Sequence, residues 1–309
     1  MPYRPGWFRD GKVVVSSAHK CGINKDGLDA VIIDGPKHVE IEDELYADVL
    51  AIRAGKSRPT TRVVPLGDVI GPWRAVPTHF DPTPIRAFRK ARAELWPDWS
   101  EKSIGELIDL GWVVRRDGHG SPSKDQREGT VPYIKVSDLR AGLMNINTTN
   151  MVPESVAHDL WYGPNSGLQA FDLLSPERAS SNIGEFCVLM PGQEQVVLTR
   201  EVIVLRVTPK APFDAFYLLW ALSLQVVRDQ WKRVIFMQTN REDVGERYRE
   251  ILLPVPPDRK EARSVSKEFR VYFTGLSRLR TSFAEHLSTE GLHHFTLTGG
   301  EPTADDVPE

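Results

Sequence analysis

From Ala262 to His286, apolar and aromatic residues return at steps of three and four: Ala262, Val265, Phe269, Tyr272, Leu276, Leu279, Phe283 and His286. That spacing lines them along one side of a helix as a heptad seam. It predicts a long coiled-coil-type helix over 258–290 and demands a surface to cover it. Two phenylalanines, a tyrosine and two leucines left in water would favour aggregation. Val265, Phe269, Tyr272, Leu276, Leu279 and Phe283 are therefore expected to face a partner or a second copy of the chain. Beyond Gly291 the sequence turns polar and acidic, and 291–309 is expected to be a disordered tail.

Ahead of that helix the periodicities are mixed, and they predict an α+β chain. Lys12–Ser16 is a β-branched run, and Ile41–Ala54 fits a helix with Ile41, Leu45, Val49 and Ile52 on one stripe. Residues 1–61 thus form a small α/β appendage. Residues 62–100, rich in proline and tryptophan, read as a packed connector with a short helix over Arg86–Leu95. Residues 101–257 form the main domain. It opens on a helix at Ser103–Leu107 and a strand at Trp112–Arg115, followed by the glycine-rich loop Gly118–Lys124. The block Gly129–Asn150 then reads as a strand (Val131, Tyr133, Ile134, Val136), a turn at Ser137–Arg140, and a polar Asn/Thr run. One strand is expected over Val196–Val207, one long helix over Asp214–Arg233, and a last strand over Tyr248–Pro254, closed by Pro256-Pro257. No internal repeat is present. Hydrophobic residues make up 40% of the 309, enough for a real core. With two cysteines, no apolar leader core and no run of about 18 apolar residues, a soluble cytoplasmic protein without disulfides or membrane contact is expected.

The motifs of catalysis are missing. Adenine-N6 methylation needs an Asn/Asp/Ser-Pro-Pro-aromatic loop to hold the flipped base, and none of the 23 prolines lies in that context. A nuclease needs carboxylates and a lysine converging on Mg²⁺. Asp258-Arg259-Lys260 and Asp10-Gly11-Lys12 have the local spacing, but neither ends a convincing strand beside a second acid. His19 and Cys21, with His293 and His294, make only half of a zinc pattern. No catalytic residue, metal ligand or cofactor is assigned to this chain.

Three polar clusters instead carry the side chains that read base edges: arginine for guanine, asparagine or glutamine for adenine, serine or threonine for either. Lys135 and Arg140 flank the strand–turn. Arg178, Ser180, Ser181 and Asn182 form a second cluster, and Gln238, Thr239, Asn240 and Arg241 a third. Such clusters also serve as caps and turn stabilisers. The loop Gly118–Lys124 offers backbone N–H groups to a phosphate, with Ser121, Ser123 and Lys124 as added donors. Arg228, Lys232 and Arg233 would track phosphates, with Asp229, Glu242 and Asp243 weakening that face. The net charge of −3 makes any basic face a local one.

The Gly129–Asn150 block after its glycine-rich loop resembles the target recognition domain of specificity subunits in type I restriction–modification systems. The later order matches too: helix, polar loop, Ile251–Pro254 strand, Pro-Pro break, long helix. One departure is Asp258-Arg259-Lys260-Glu261, where that family has a glutamine-containing helix start. The segment 11–27, GKVVVSSAHKCGINKDG, is similar to the stretch that follows the catalytic domain in type I-like adenine-N6 DNA methyltransferases. The resemblance implies sequence-specific binding of double-stranded DNA by a single-domain specificity subunit, non-catalytic, directing a partner adenine-N6 methyltransferase in restriction–modification or phage defence. The methyltransferase would bring S-adenosylmethionine, and the heptad helix would pair with its own copy or with that partner. A stand-alone Mg-dependent nuclease and a protein-binding scaffold are the alternatives.

Overall fold

The computed structural model describes residues 11–292 except 17, 19, 25, 35–37, 71–75, 179 and 239–240. The chain divides into two units, Met1–Thr83 and Pro84–Glu309. Among the described residues no helix is long and apolar enough to cross a membrane.

In the first unit, β1 (Lys12–Ser16) precedes a hairpin of β2 (Val31–Asp34) and β3 (His38–Ile41), then α1 (Glu44–Arg53), β4 (Thr61–Pro65) and the short α2 (Leu66–Ile70). β1 and β4 are antiparallel, from Lys12↔Pro65 to Ser16↔Thr61. The connector expected from residue 62 therefore begins as a strand that completes the β1 ladder. The helix also differs from its expected span. Ile41 belongs to β3, and α1 starts only after Asp43, whose carboxylate accepts the Tyr46 N–H (2.7 Å). Its apolar stripe is not buried: Leu45 and Val49 are exposed. The helix buries Asp48 instead, which accepts hydrogen bonds from the Ser16 hydroxyl (2.6 Å), Arg58 Nε (2.7 Å) and the Thr60 hydroxyl (2.5 Å). A buried carboxylate is tolerated only with such partners.

The second unit opens with α3 (Thr83–Leu95), which buries Phe88. β5 (Ser100–Ser103) leads into α4 (Ile104–Asp109) through a capping box: the Glu106 N–H donates to Ser103 Oγ (3.1 Å) and the Ser103 N–H to Glu106 Oε2 (2.6 Å). Next come β6 (Val113–Asp117), β7 (Val131–Ile134), β8 (Leu139–Arg140), β9 (Leu143–Met144), β10 (Met151–Val152) and α5 (Glu154–Trp161). The second half holds β11 (Leu173–Pro176), β12 (Cys187–Val188), β13 (Val197–Leu198), β14 (Val202–Val207), α6 (Ala215–Ser223) and α7 (Gln225–Trp231). It ends with the hairpin β15 (Phe236–Gln238) and β16 (Arg241–Asp243), then β17 (Leu252–Val255), α8 (Arg259–Val265) and α9 (Lys267–Glu290).

A six-stranded sheet in the order β6-β14-β11-β12-β9-β8 is the frame, and a three-stranded sheet β10-β7-β13 covers it. Alternation along the strands separates two cores. Leu173, Val188, Ile203 and Leu205 pack with α6 and α7 (Tyr217, Leu218, Trp231). Leu174, Cys187, Val202 and Val204 pack with Ile134, Leu139 and Leu198. Both faces are buried along the central β11, β12 and β14, so these strands read as nearly unbroken apolar runs. Burial pushes the Cys187 thiol up to about 12.

That continuity misleads at three places. The expected strand Val196–Val207 is two strands in different sheets, separated at Thr199-Arg200-Glu201. The expected helix Asp214–Arg233 breaks at Leu224 (φ −58, ψ 132). The break lets the buried Gln230 bond β17 like a neighbouring strand, through Nε2 to Leu252 O (2.9 Å) and from the Leu252 N–H to Oε1 (2.8 Å). The expected strand Tyr248–Pro254 begins as a 3-10 helix at Gly245–Glu250. The C-terminal helix forms as predicted, interrupted at the buried Ser266. Its root lies on its own unit: Ala262 and Phe273 are buried, and Val265, Phe269 and Leu276 pack on the same core. Tyr272 (57%), Leu279 (71%) and Phe283 (45%) remain exposed.

Candidate nucleic-acid interface

One end of the six-stranded sheet gathers most of the polar clusters. β14 is antiparallel to both β6 (Ile203↔Asp117) and β11 (Val202↔Pro176). The segments that follow β6, precede β14 and follow β11 therefore emerge together.

The loop after β6 is pinned there. N–H groups of Gly118, His119 and Gly120 donate to Val202 O (2.9 Å), Leu198 O (3.0 Å) and Leu198 O (3.1 Å). Gly118 approaches so closely that a Cβ would overlap the Thr199 carbonyl oxygen. These three backbone donors are spent inside the protein and are not available to a phosphate. What the loop presents is side chains. Ser121 Oγ shares a hydrogen bond with Thr199 Oγ1 (3.2 Å), and the exposed Ser123 hydroxyl donates to Gln126 Oε1 (3.0 Å). Lys124 is exposed and has no partner among the described residues.

His119 fixes the loop to two other segments. Nδ1 accepts the Leu198 N–H (3.0 Å), so Nε2 carries the proton and donates to Ser166 O (2.9 Å). Burial holds the imidazole below the usual histidine range; the Ser166 bond opposes this and the Arg116 charge adds to it. A histidine with a depressed folded pKa gives stability that is complete above its unfolded value of about 6.5. That stability is lost as pH falls, because the unfolded chain takes up the proton first. We expect the urea midpoint to drop between pH 7 and pH 5, and the drop to shrink in His119→Asn. An unchanged pH slope in the variant would remove His119 as its source.

Lys135 lies beside this loop, because the Thr199 N–H donates to Ile134 O (2.9 Å). Its ammonium bonds Asn150 Oδ1 and stands 6.0 Å from the Tyr133 ring. Arg127 covers the same ring at 5.2 Å and donates to Pro122 O (3.1 Å). Arg200, at the turn between β13 and β14, is exposed and without a partner among the described residues. Arg127 and Lys135 thus share the Tyr133 ring, and Lys124 and Arg200 are exposed on the two segments joined by the Ser121–Thr199 bond, with Asp125 and Glu128 exposed in the same loop as Lys124. Sequence reasoning missed Arg127 and Arg200. The polar triplet 199–201 inside an apolar run was the available signal.

The second cluster stands at the same end, with Arg178 Nε buried and without a hydrogen-bond partner among the described residues. Arg178 Nε is 3.7 Å from Asp243 and its Nη2 is 3.9 Å from Glu177. Ser180 Oγ accepts the Asn182 N–H (3.1 Å), and Ser181 bonds Asn182 Oδ1 (3.3 Å), a turn-stabilising arrangement. Arg228 reaches back to Ile183 O (3.5 Å) and Glu185 (3.4 Å), and Lys232 pairs with Asp229 (3.1 Å). Arg233 is half-buried. The third cluster is tied in by the Arg178↔Asp243 bridge. Gln238 and Arg241 pair across its hairpin, but their side chains, and Thr239 and Asn240 entirely, lie outside the described residues. Arg140 is set apart, on β8 at the edge opposite β6, its Nε donating to Ser137 O (2.7 Å).

The chemistry-like spacings resolve as structure. Asp258 caps α8 by accepting the Glu261 N–H (2.8 Å), and Arg259 donates to the carbonyls of Pro209 (2.7 Å) and Ala211 (2.9 Å). Among the described residues no group of three or more His, Cys, Asp or Glu is placed to hold a metal ion. His19, His293, His294, Asp10 and the acidic tail from 293 onward lie outside them.

No protein-family model and no curated protein matches the chain. Among solved structures it is similar to specificity subunits of type I restriction–modification systems. The S subunit from M. genitalium is 13% identical over 62% of this chain and 44% of that one, with a TM-score of 0.40. The HsdS subunit from Thermoanaerobacter tengcongensis is 15% identical over 71% and 55%, with a TM-score of 0.37. It is also similar to the type IIG restriction endonuclease BpuSI, 9% identical over 72% and 32%, with a TM-score of 0.44. The chain spans about half the length of the specificity subunits it resembles.

Proposed function

We propose that this chain binds duplex DNA in a sequence-dependent way, as a non-catalytic single-domain specificity subunit of a restriction–modification system. The carrying observation is that Lys124 and Arg200 are exposed on two segments joined by the Ser121–Thr199 bond, with Arg127 and Lys135 beside the shared Tyr133 ring. The hydroxyls of Ser121 and Thr199 lie on the same two segments. Cations held by phosphates set register, and the polar side chains between them read base edges. The resemblance of the Gly129–Asn150 block supports the same reading. A partner adenine-N6 methyltransferase would supply S-adenosylmethionine and the covalent step. The outward side of α9, with Tyr272, Leu279 and Phe283, would serve assembly with that partner or with a second copy.

Fluorescence anisotropy of the purified chain with random duplexes tests the binding. If about four phosphates are neutralised, affinity should fall about 100-fold between 50 and 200 mM salt, for a slope near −0.9 per phosphate. Lys124→Ala with Arg200→Ala should reduce that slope by about two. Absence of binding at low salt, or binding indifferent to salt, would sink the reading.

A further inference from the structure

Tyr162 closes α5 in the left-handed region, at φ 57 and ψ 34. Its N–H donates to Asp159 O (3.3 Å), and the Gly163 N–H donates to His158 O (3.1 Å). Helices ordinarily place glycine at such a position, because a Cβ there is strained. This chain has a glycine one residue later and puts tyrosine in the strained place. The side chain gains nothing locally for that cost. It is 94% exposed, and its ring and hydroxyl touch no partner among the described residues. A strained backbone that presents a large aromatic side chain to solvent points to a use outside the fold.

Its surroundings indicate which use. The preceding Trp161 donates to Val196 O (3.1 Å), and its ring lies 6.4 Å from His119. Leu160 packs so tightly on the loop that a Cβ on Gly120 would meet its Cδ2 at 2.6 Å. Tyr162 therefore follows directly on the two residues by which α5 packs against the Gly118–Gly120 segment, whose loop goes on to the exposed Lys124. A phosphate contact is disfavoured there, because the helix C-terminus and Asp159 both present negative charge. We propose that Tyr162 is a DNA-contacting residue whose ring packs against a base, either at a thymine methyl or at an opened base step. The inference rests on the DNA-binding reading and deepens it.

The test uses the full chain and the duplex it enriches from a random pool. Three proteins are compared by anisotropy and thermal unfolding: wild type, Tyr162→Gly and Tyr162→Phe. Tyr162→Gly should melt about 3 °C higher while binding about tenfold more weakly, in the range of base–aromatic contacts. Tyr162→Phe, which keeps the ring, should bind within about twofold of wild type on the same argument. Unchanged affinity in Tyr162→Gly overturns the inference while the DNA reading stands, and a changed sedimentation coefficient in that case would assign the ring to a protein contact. A Phe variant as weak as the Gly variant also overturns it. If wild type enriches no duplex, the DNA reading itself falls and takes this inference with it.

Discussion

Arg206→Ala should destabilise the second unit by about 3–5 kcal/mol, the range for removing one partner of a buried ion pair. Arg206 extends from β14 and binds Asp172 with both ends of its fork, Nε to Oδ1 at 2.7 Å and Nη2 to Oδ2 at 2.6 Å. The same Nη2 donates to Gly167 O (2.9 Å). The Asp172 side chain is 1% exposed and also accepts the Gln169 N–H (2.9 Å). Truncating the arginine strands that carboxylate in a low-dielectric site, and the desolvation cost is then uncompensated. Arg206→Lys should recover only part of the loss, since an ammonium cannot reproduce the fork. A double replacement, Asp172→Leu with Arg206→Leu, should cost less than Arg206→Ala alone, because no charge is left buried. Urea unfolding of the three variants tests the ordering. A cost below about 1 kcal/mol for Arg206→Ala, the scale of an exposed pair, would show that the bridge is solvated.

The elements that sequence reasoning placed well are those with one dominant signal. β1 rests on a β-branched run and α9 on a long heptad recurrence. Each is determined locally. The misplaced elements are those where tertiary partners decide. Val196–Val207 looks like one strand because both faces of the sheet are buried, which erases the alternation that would mark its turn. The break at Leu224 goes with Gln230 bonding β17, a pairing 22 residues distant. α1 carries an apolar stripe, yet buries Asp48, because three donors from β1 and the 58–60 segment meet it. The candidate site divides the same way. Its location near the glycine-rich loop was legible, since Gly118 and Gly120 mark close approaches. Which donors remain available was not, because that depends on partners such as Leu198 O and Glu185, far away in sequence. The heptad seam was legible as a seam, but not its division into a root packed on its own core and an exposed outer half.

Gly118→Ala should be the most damaging single-methyl change at the candidate interface. The added Cβ would overlap the Thr199 carbonyl oxygen, which accepts the Val202 N–H (3.3 Å), and crowd its carbon. Neither can move alone. The Thr199 N–H is bonded to Ile134 O and the Gly118 N–H to Val202 O (both 2.9 Å). Overpacking against rigid neighbours costs about 1–3 kcal/mol, sometimes more. The loop must then lift, breaking the Ser121–Thr199 contact and shifting Arg200 relative to Lys124. Loss of stability and loss of DNA affinity should therefore appear together. Gly120→Ala is the matched control, because there the new Cβ meets only the end of the Leu160 side chain, which can rotate away. It should cost less in both measurements. Urea midpoints and anisotropy on the same preparations would decide the order. If Gly120→Ala proved as damaging as Gly118→Ala, rigid backbone contact at Thr199 would not be what braces this face.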